Sequence, residues 1–242
     1  LKYKYIFSDF DGTLTHKGEV SKTLIDVLSV LKKKNITFIL VSGRSASWGH
    51  FFLTHFPISY AVMEAGGVIL HKNKTHIQMQ VLAKQNQLDK LELVKQKLHK
   101  EISELEFAVD NVGRITDRAI ELSSLENPKT LKKVQQILDQ NNCHYSVSNV
   151  HLNFSTVPND KWSGACYLSK HVLKKDLLKI LPISCFMGDA PNDEIMFQYF
   201  KHSLGVGNIK PYLTQMKYVP STITKEKEIR GVRRFLKDAA IL

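Results

Sequence analysis

The spacing of apolar and polar positions changes period along the chain, and the changes mark out its elements. Residues 4–9 mix aromatic and aliphatic side chains and end in Asp-Phe-Asp-Gly, the pattern of a buried strand entering a turn. Ser21 can cap a helix in which Leu24, Ile25, Leu28 and Leu31 recur at helical spacing. Residues 36–41 form a β-branched run closed by Ser42-Gly43-Arg44. A helix at 48–52 and a strand at 60–63 follow. Strand and helix in alternation predict a parallel sheet with crossover helices.

Beyond Gly66-Gly67 the pattern is different. Residues 68–81 read as two short strands about a turn at Lys72-Asn73-Lys74. Residues 85–105 read as one long amphipathic helix, with Leu88, Leu91, Val94, Leu98, Ile102 and Leu105 on a single stripe. Short strands are expected at 106–110 and 114–122, and Pro128 suits the start of a further helix. An antiparallel hairpin over 145–157 is expected to turn at Ser148-Asn149. From Lys161 the parallel pattern returns, with a helix at 163–172 and a strand at 183–187 ending in Gly188-Asp189. A helix at 191–200, a strand at 203–206 and a last helix at 228–240 complete it. The expected fold is α/β: a doubly wound, mostly parallel, Rossmann-like core (1–81 and 159–242) carrying an inserted α+β cap (82–158).

Composition narrows the class. With 43% hydrophobic and 24% charged residues the chain is ordinary globular material, long enough to bury its own core. Cys143, Cys166 and Cys185 are odd in number and widely spaced, which fits a reducing cytoplasm better than a disulfide framework or a zinc knuckle. No apolar run approaches the roughly 20 residues of a membrane span, and no secretory stretch precedes the first strand, so a cytoplasmic location is expected. The formal charge of +11 lies largely on lysine-leucine helices and reads chiefly as solvated helix faces. Without basic runs interleaved with aromatics, no nucleic-acid or membrane partner is expected, and the excess charge is left to steer small anions.

Candidate chemistry gathers where strands end, which is where open parallel sheets bind ligands. Asp9 and Asp11 follow the first strand, Ser42 and Gly43 the second, Asp189 a later one. Acids one residue apart after an apolar strand are costly unless a cation or proton balances them. Magnesium suits such hard oxygen donors, and Asp9, Asp11 and Asp189 can hold it beside a phosphate, with Asn192 and Asp193 one helical turn on. A carboxylate can also attack phosphorus, and a neighbouring one can carry the proton. Lys161, Ser42 and backbone N–H groups near Phe10 and Gly43 can then support the phosphoryl oxygens. Arg44 has two readings, a phosphate contact or a structural ion pair. In the cap, Asp117, Arg118, Glu121 and His151 are polar residues able to face a leaving group.

Asp9-Phe10-Asp11-Gly12-Thr13 matches the first motif of the haloacid dehalogenase-like superfamily, and Val41-Ser42-Gly43-Arg44 resembles the second. Lys161 fits the third and Gly188-Asp189-Ala190-Pro191-Asn192-Asp193 is similar to the fourth, all in the family's order. An insert between the second and third motifs resembles subfamily IIB, the Cof-like and sugar-phosphate phosphatase type. That resemblance implies a phosphoric monoester hydrolase with Asp9 as nucleophile and Asp11 as acid/base. It implies phosphate or substrate contacts from Ser42, Gly43, Arg44, Lys161 and Asn192, and Mg2+ held with the help of Asp9, Asp11, Asp189 and Asp193. The implied substrate is a small phosphorylated metabolite, foremost a sugar phosphate, taken by a monomer or homodimer. A phosphomutase of the same family and a non-catalytic phospho-ligand binder are the alternatives. The chain departs from the branch at Glu64-Ala65-Gly66-Gly67, where its members often carry Asn-Gly.

Overall fold

A computed structural model describes residues 2–74, 76–147 and 151–242. Strands and helices alternate at the start as β1 (Tyr5–Ser8), α1 (Lys22–Lys33), β2 (Thr37–Val41), α2 (Ala46–His55) and β3 (Tyr60–Met63), before the hairpin of β4 (Val68–Asn73) and β5 (His76–Val81). The middle of the chain holds α3 (Gln85–Glu101), β6 (Asp117–Glu121), α4 (Pro128–Gln140), β7 (His144–Val147) and β8 (His151–Ser155). The last part runs α5 (Lys161–His171), α6 (Leu177–Ile180), β9 (Ser184–Gly188), α7 (Glu194–Tyr199), β10 (Ser203–Gly205), β11 (Thr222–Ile223) and α8 (Glu228–Asp238).

Eight strands form one sheet in the order β11-β10-β9-β1-β2-β3-β4-β5, parallel except at β4 and β5. β1 is central, with Tyr5 opposite both Thr37 and Ser184, and Ser8 opposite both Leu40 and Met187. This register brings the carboxyl ends of β1, β2 and β9 side by side, so Asp9, Ser42 and Asp189 share one edge. Buried on both faces, these strands read as continuous apolar runs. Leu24, Leu28, Phe52, Val232 and Leu236 from α1, α2 and α8 cover one face, and Ala165, Leu168, Leu177 and Met196 from α5, α6 and α7 cover the other.

A second, antiparallel sheet has the order β6-β8-β7. One of its faces is apolar: Ile120, Leu152 and Phe154 pack under Leu91, Val94 and Leu98 of α3 and Val134, Ile137 and Leu138 of α4. This is the inserted α+β cap on the doubly wound core that the periodicity predicts.

Some local expectations need correction. Helix α3 stops at Glu101, although Ile102 and Leu105 remain buried in the same cluster. The strand expected at 106–110 is absent: Phe107 makes one bridge to Ile120, and Val109–Gly113 winds into a 3-10 turn. The Asn111 carboxamide replaces that strand, donating to the Ala108 and Ala119 carbonyls and accepting from the Ala119 N–H. Helix α5 begins at Lys161, two residues early, because Asp160 and Ser163 form a reciprocal cap. The helix expected at 191–200 opens as a 3-10 turn, Pro191–Asp193, and continues as α7. The turn expected at Ser148-Asn149 lies outside the described residues.

The start of α5 is pressed directly onto the turn after β3. Gly66 has φ +106°, and a Cβ there would lie 2.0 Å from the Asp160 carbonyl oxygen. Gly66→Ala is therefore expected to displace the α5 cap and destabilise the fold by about 3 kcal/mol, from backbone strain and clash together. Urea denaturation checks this; an unchanged midpoint would contradict the close docking of α5.

Candidate active site

Asp9 leaves β1 with its N–H donated to the Met187 carbonyl of β9, which carries the strand register into the site. Its carboxylate, with those of Asp189 and Asp193, offers oxygens that all lie within 4.8 Å of one another, and all three residues are buried. Lys161, the first helical residue of α5, reaches into this group. Its Nζ lies 3.0 Å from Asp9 Oδ1 and 2.6 Å from Asp193 Oδ1. The other Asp193 oxygen accepts the N–H groups of Asp189 and Ala190 at 2.9 and 3.3 Å. Asp193 thus ties α7, β9 and α5 together, and both its oxygens are engaged.

Asp189 is held from the opposite side. Thr13 Oγ1 donates to its Oδ1 at 3.0 Å, while Asn208 Nδ2 bridges its Oδ2 and the Gly12 carbonyl at 3.5 and 2.7 Å. Gly12 has φ +73°, and a Cβ there would fall 2.2 Å from Asp189 Oδ2, so only glycine lets the first loop close on the second.

One ammonium cannot serve three carboxylates. Burial works against the Lys161 charge, yet Asp193 and Asp9 beside it hold its pKa above the ordinary value. The deficit falls on the acids. Burial pushes Asp9 up to about 7, against the pull of Lys161 and with the push of Asp193 and Asp11. Burial, then Asp9 and Asp193, push Asp189 up to about 8. With all three ionised against Lys161, two negative charges are left over. The donors are hard oxygens, so the cluster fits a divalent cation of the magnesium type.

Asp11 lies apart from that trio. Arg44 grips its carboxylate with Nε at 2.8 Å and a terminal nitrogen at 2.7 Å, and lies over the Trp48 ring at 4.8 Å. The guanidinium is therefore committed to Asp11, and the Asp11 side chain to Arg44. Ser42 Oγ accepts the Arg44 N–H at 3.2 Å, and Ser42, Gly43, Arg44 and Asn192 line one cavity with Asp9, Asp11, Lys161 and Asp189. The cavity measures about 280 Å³ and lies between the sheet edge and the cap.

The cap meets this edge through contacts that periodicity does not show. Glu64, at the departure from the branch pattern, is buried and accepts the N–H groups of Ala46, Ile115 and Thr116 and the Thr116 hydroxyl. Its φ is +52° and that of Ala65 is +49°, two strained non-glycine residues in succession. Arg114 donates to the Gly43 carbonyl at 3.0 Å while paired with Asp110 and Asp117. Asn153 donates to the same carbonyl at 3.3 Å. The loop after β2 is thereby held from above by two cap side chains. Periodicity singles out neither Arg114 nor Asn153: the alternation over 151–155 is the available signal for Asn153, and Arg114 lies in the loop before β6, outside any alternating run.

Among the described residues no helix is long and apolar enough to cross a membrane. No curated protein matches the chain at a significant level. Solved structures share the fold across its length at low identity. One is a protein of Thermoplasma acidophilum at 17% identity, covering 100% of both chains with a TM-score of 0.79. A phosphatase of the haloalkanoate (HAD) enzyme superfamily from Bacteroides thetaiotaomicron follows at 14% identity, 99% and 96% coverage and 0.70. The sucrose-phosphatase of Synechocystis, solved with sucrose and phosphate, is at 14%, with 98% of each chain covered and a TM-score of 0.68. Residues 6–112, which hold the first two loops of the site, match the family profile of haloacid dehalogenase-like hydrolases. Over that stretch, somewhat under half of its length, the chain is similar to the haloacid dehalogenase-like hydrolases.

Proposed function

We propose that the chain is a magnesium-dependent phosphatase acting on a small phosphorylated metabolite, foremost a sugar phosphate, through an aspartyl-phosphate on Asp9. The observation that carries this reading is the buried cluster of Asp9, Asp189, Asp193 and Lys161, opening at the strand ends into a cavity roofed by the cap. The phosphatases that share the fold support it. In this reading residues 82–158 are the cap and 1–81 with 159–242 the core.

An Asp9 oxygen attacks phosphorus, forming the acyl-phosphate bond as the ester P–O bond breaks. Asp11, turned from Arg44 and carrying a proton, gives it to the leaving oxygen. Water then attacks phosphorus, its proton returns to Asp11, and the bond to Asp9 breaks, so ester and water become alcohol and phosphate. Lys161 and the Ser42 hydroxyl steady the phosphoryl oxygens throughout. Asp9 and Asp189 are the residues to hold Mg2+, with Asp193 orienting the loop that presents Asp189. When bound, the ion supplies the positive charge that the cluster lacks and that a transferring phosphoryl group needs.

With Mg2+ and a panel of phosphate esters, wild type should release phosphate, and Asp9→Asn should lose about a thousandfold or more in kcat. Equal, negligible turnover by both would contradict the proposal, and a hexose 1-phosphate isomerised without free phosphate would identify a mutase instead.

Metal binding has its own readout. Mg2+ should raise the thermal midpoint of wild type, by mass action on the folded state, and leave that of Asp189→Asn unmoved. Asp189→Asn should melt a few degrees higher than wild type without metal, since it removes a charge that burial disfavours. Differential scanning fluorimetry measures both; an equal Mg2+ response in the two proteins would contradict the assignment.

A further inference from the structure

The two edges of the eight-stranded sheet are unlike. β11 closes one edge with two residues, too few to template another strand. β5 closes the other with six, in the sequence His-Ile-Gln-Met-Gln-Val. Edge strands are ordinarily guarded by lysine, proline, inward charge or brevity. β5 contains no proline, lysine, arginine, aspartate or glutamate, although 24% of the chain is charged. Met79 within it is half exposed.

The ladder with β4 decides which backbone groups this edge offers. In an antiparallel pair, alternate residues turn both N–H and C=O towards the partner strand, and those between turn them away. Leu82 donates its N–H to the Gly67 carbonyl, one position beyond the pair of Val81 with Val68. Gln78 and Gln80 therefore turn towards β4, and Ile77, Met79 and Val81 turn outward. The far side of β4 agrees: Lys72 donates to the Ser59 carbonyl, so Leu70 and Lys72 turn to β3 and His71 to β5. Among the described residues no other element bonds the outward N–H and C=O groups of Ile77, Met79 and Val81. The same three residues share a side-chain face. Val81 and Met79 stand opposite Val68 and Leu70 of the apolar cluster that α2 covers, and Ile77 packs against that cluster.

A strand of this kind is complementary to itself. Two copies related by a two-fold axis through Met79, normal to the sheet, run antiparallel and keep each face on its own side. Met79 then exchanges hydrogen bonds with Met79 of the second copy, and Ile77 with Val81 in both directions. The register that satisfies the outward groups is thus the one that sets isoleucine against valine and methionine against methionine. A slip by one residue loses both matches. β4 reverses β3 and β5 reverses β4, so β5 points towards the sheet edge that carries the cavity. In the antiparallel copy it points the other way, and the two caps stand at opposite ends, clear of the contact.

We infer that β5 is a self-association edge, through which two copies of the chain join with Met79 against Met79 and merge their eight-stranded sheets into one. The inference stands apart from the phosphatase reading above. A second copy is the occupant because the hydrogen-bond pattern and the apolar ladder of β5 both match their own two-fold image. An uncharged strip is also where two chains of formal charge +11 can meet with least repulsion. A contact one strand wide is small, and a dissociation constant on the order of 10 μM is expected.

Analytical ultracentrifugation of the full chain from about 1 to about 100 μM, in about 0.3 M salt to screen repulsion, should show the mass rising from one chain to two. Met79→Lys sets like charges across the axis, and Met79→Pro removes an outward N–H while sparing the ladder with β4. Both should remain single chains to about 100 μM, an association weakened by about tenfold or more, with the circular dichroism of the wild type. Mild oxidation of Met79→Cys should link two chains, because Cα atoms of a hydrogen-bonded pair lie about 5.5 Å apart, within disulfide reach. Wild type and Ile77→Cys should not link, the two Ile77 positions being about 14 Å apart along the strands in this register. A wild type that stays a single chain at about 100 μM would overturn the inference and leave the edge to a strand of another protein. Dimers that survive both Met79→Lys and Met79→Pro, a dimeric Met79→Cys that does not link, ready linking through Ile77→Cys, or assembly beyond two chains would overturn it as well.

Discussion

Lys161 divides its charge between Asp9 and Asp193, leaving Asp9 and Asp189 with too little compensation for acids so deeply buried. Much of the local structure can be understood as the means of keeping these groups together. Asp160 and Ser163 cap α5 so that Lys161 enters as its first residue, and Gly66 lets that helix end approach the sheet. Gly12 and Thr13 close the first loop onto Asp189, and Asn208 braces both. The apolar layers on either side of β1 and β9 offset the cost of holding acids in a state the metal-free fold disfavours. A site built this way is short of positive charge, which a bound cation would supply.

The charge that organises the site is separate from the charge that dominates the composition. The chain carries a formal +11, yet each lysine or arginine bordering the cavity is bound to a carboxylate. The excess sits elsewhere, much of it on helix faces, where it can draw small anions without recognising them. The cap combines an apolar underside for α3 and α4 with a polar face for the cavity. A single strand such as β8 serves both purposes because its side chains alternate.

The core was legible from the sequence because its signals are local. Apolar runs ending in Asp9, Ser42 and Asp189 mark strands and their carboxyl ends at once, and parallel pairing then brings those ends together. The position of Lys161 was legible as well, though its place in α5 needed the Asp160 and Ser163 cap. Docking of the cap was not legible. Glu64 binds the backbone of residues 115 and 116, and Arg114 and Asn153 bind the Gly43 carbonyl, contacts between positions about 50 to 110 apart. Periodicity reports which face of an element is buried, not what a polar side chain will meet when two units close. The missing strand at 106–110 has the same origin: a carboxamide, Asn111, supplies the hydrogen bonds that a strand would have made.

The role of Asp9 as nucleophile can be tested on the protein itself. After brief exposure to acetyl phosphate with Mg2+ and an acid quench, mass spectrometry of the tryptic peptide spanning residues 5–17 should find one added phosphoryl group. Fragmentation should place it on Asp9, and hydroxylamine should remove it, as expected of an acyl phosphate. A phosphoryl group on Asp11 or elsewhere, or turnover of a phosphate ester with no phosphorylated peptide under any quench, would contradict Asp9 as the nucleophile.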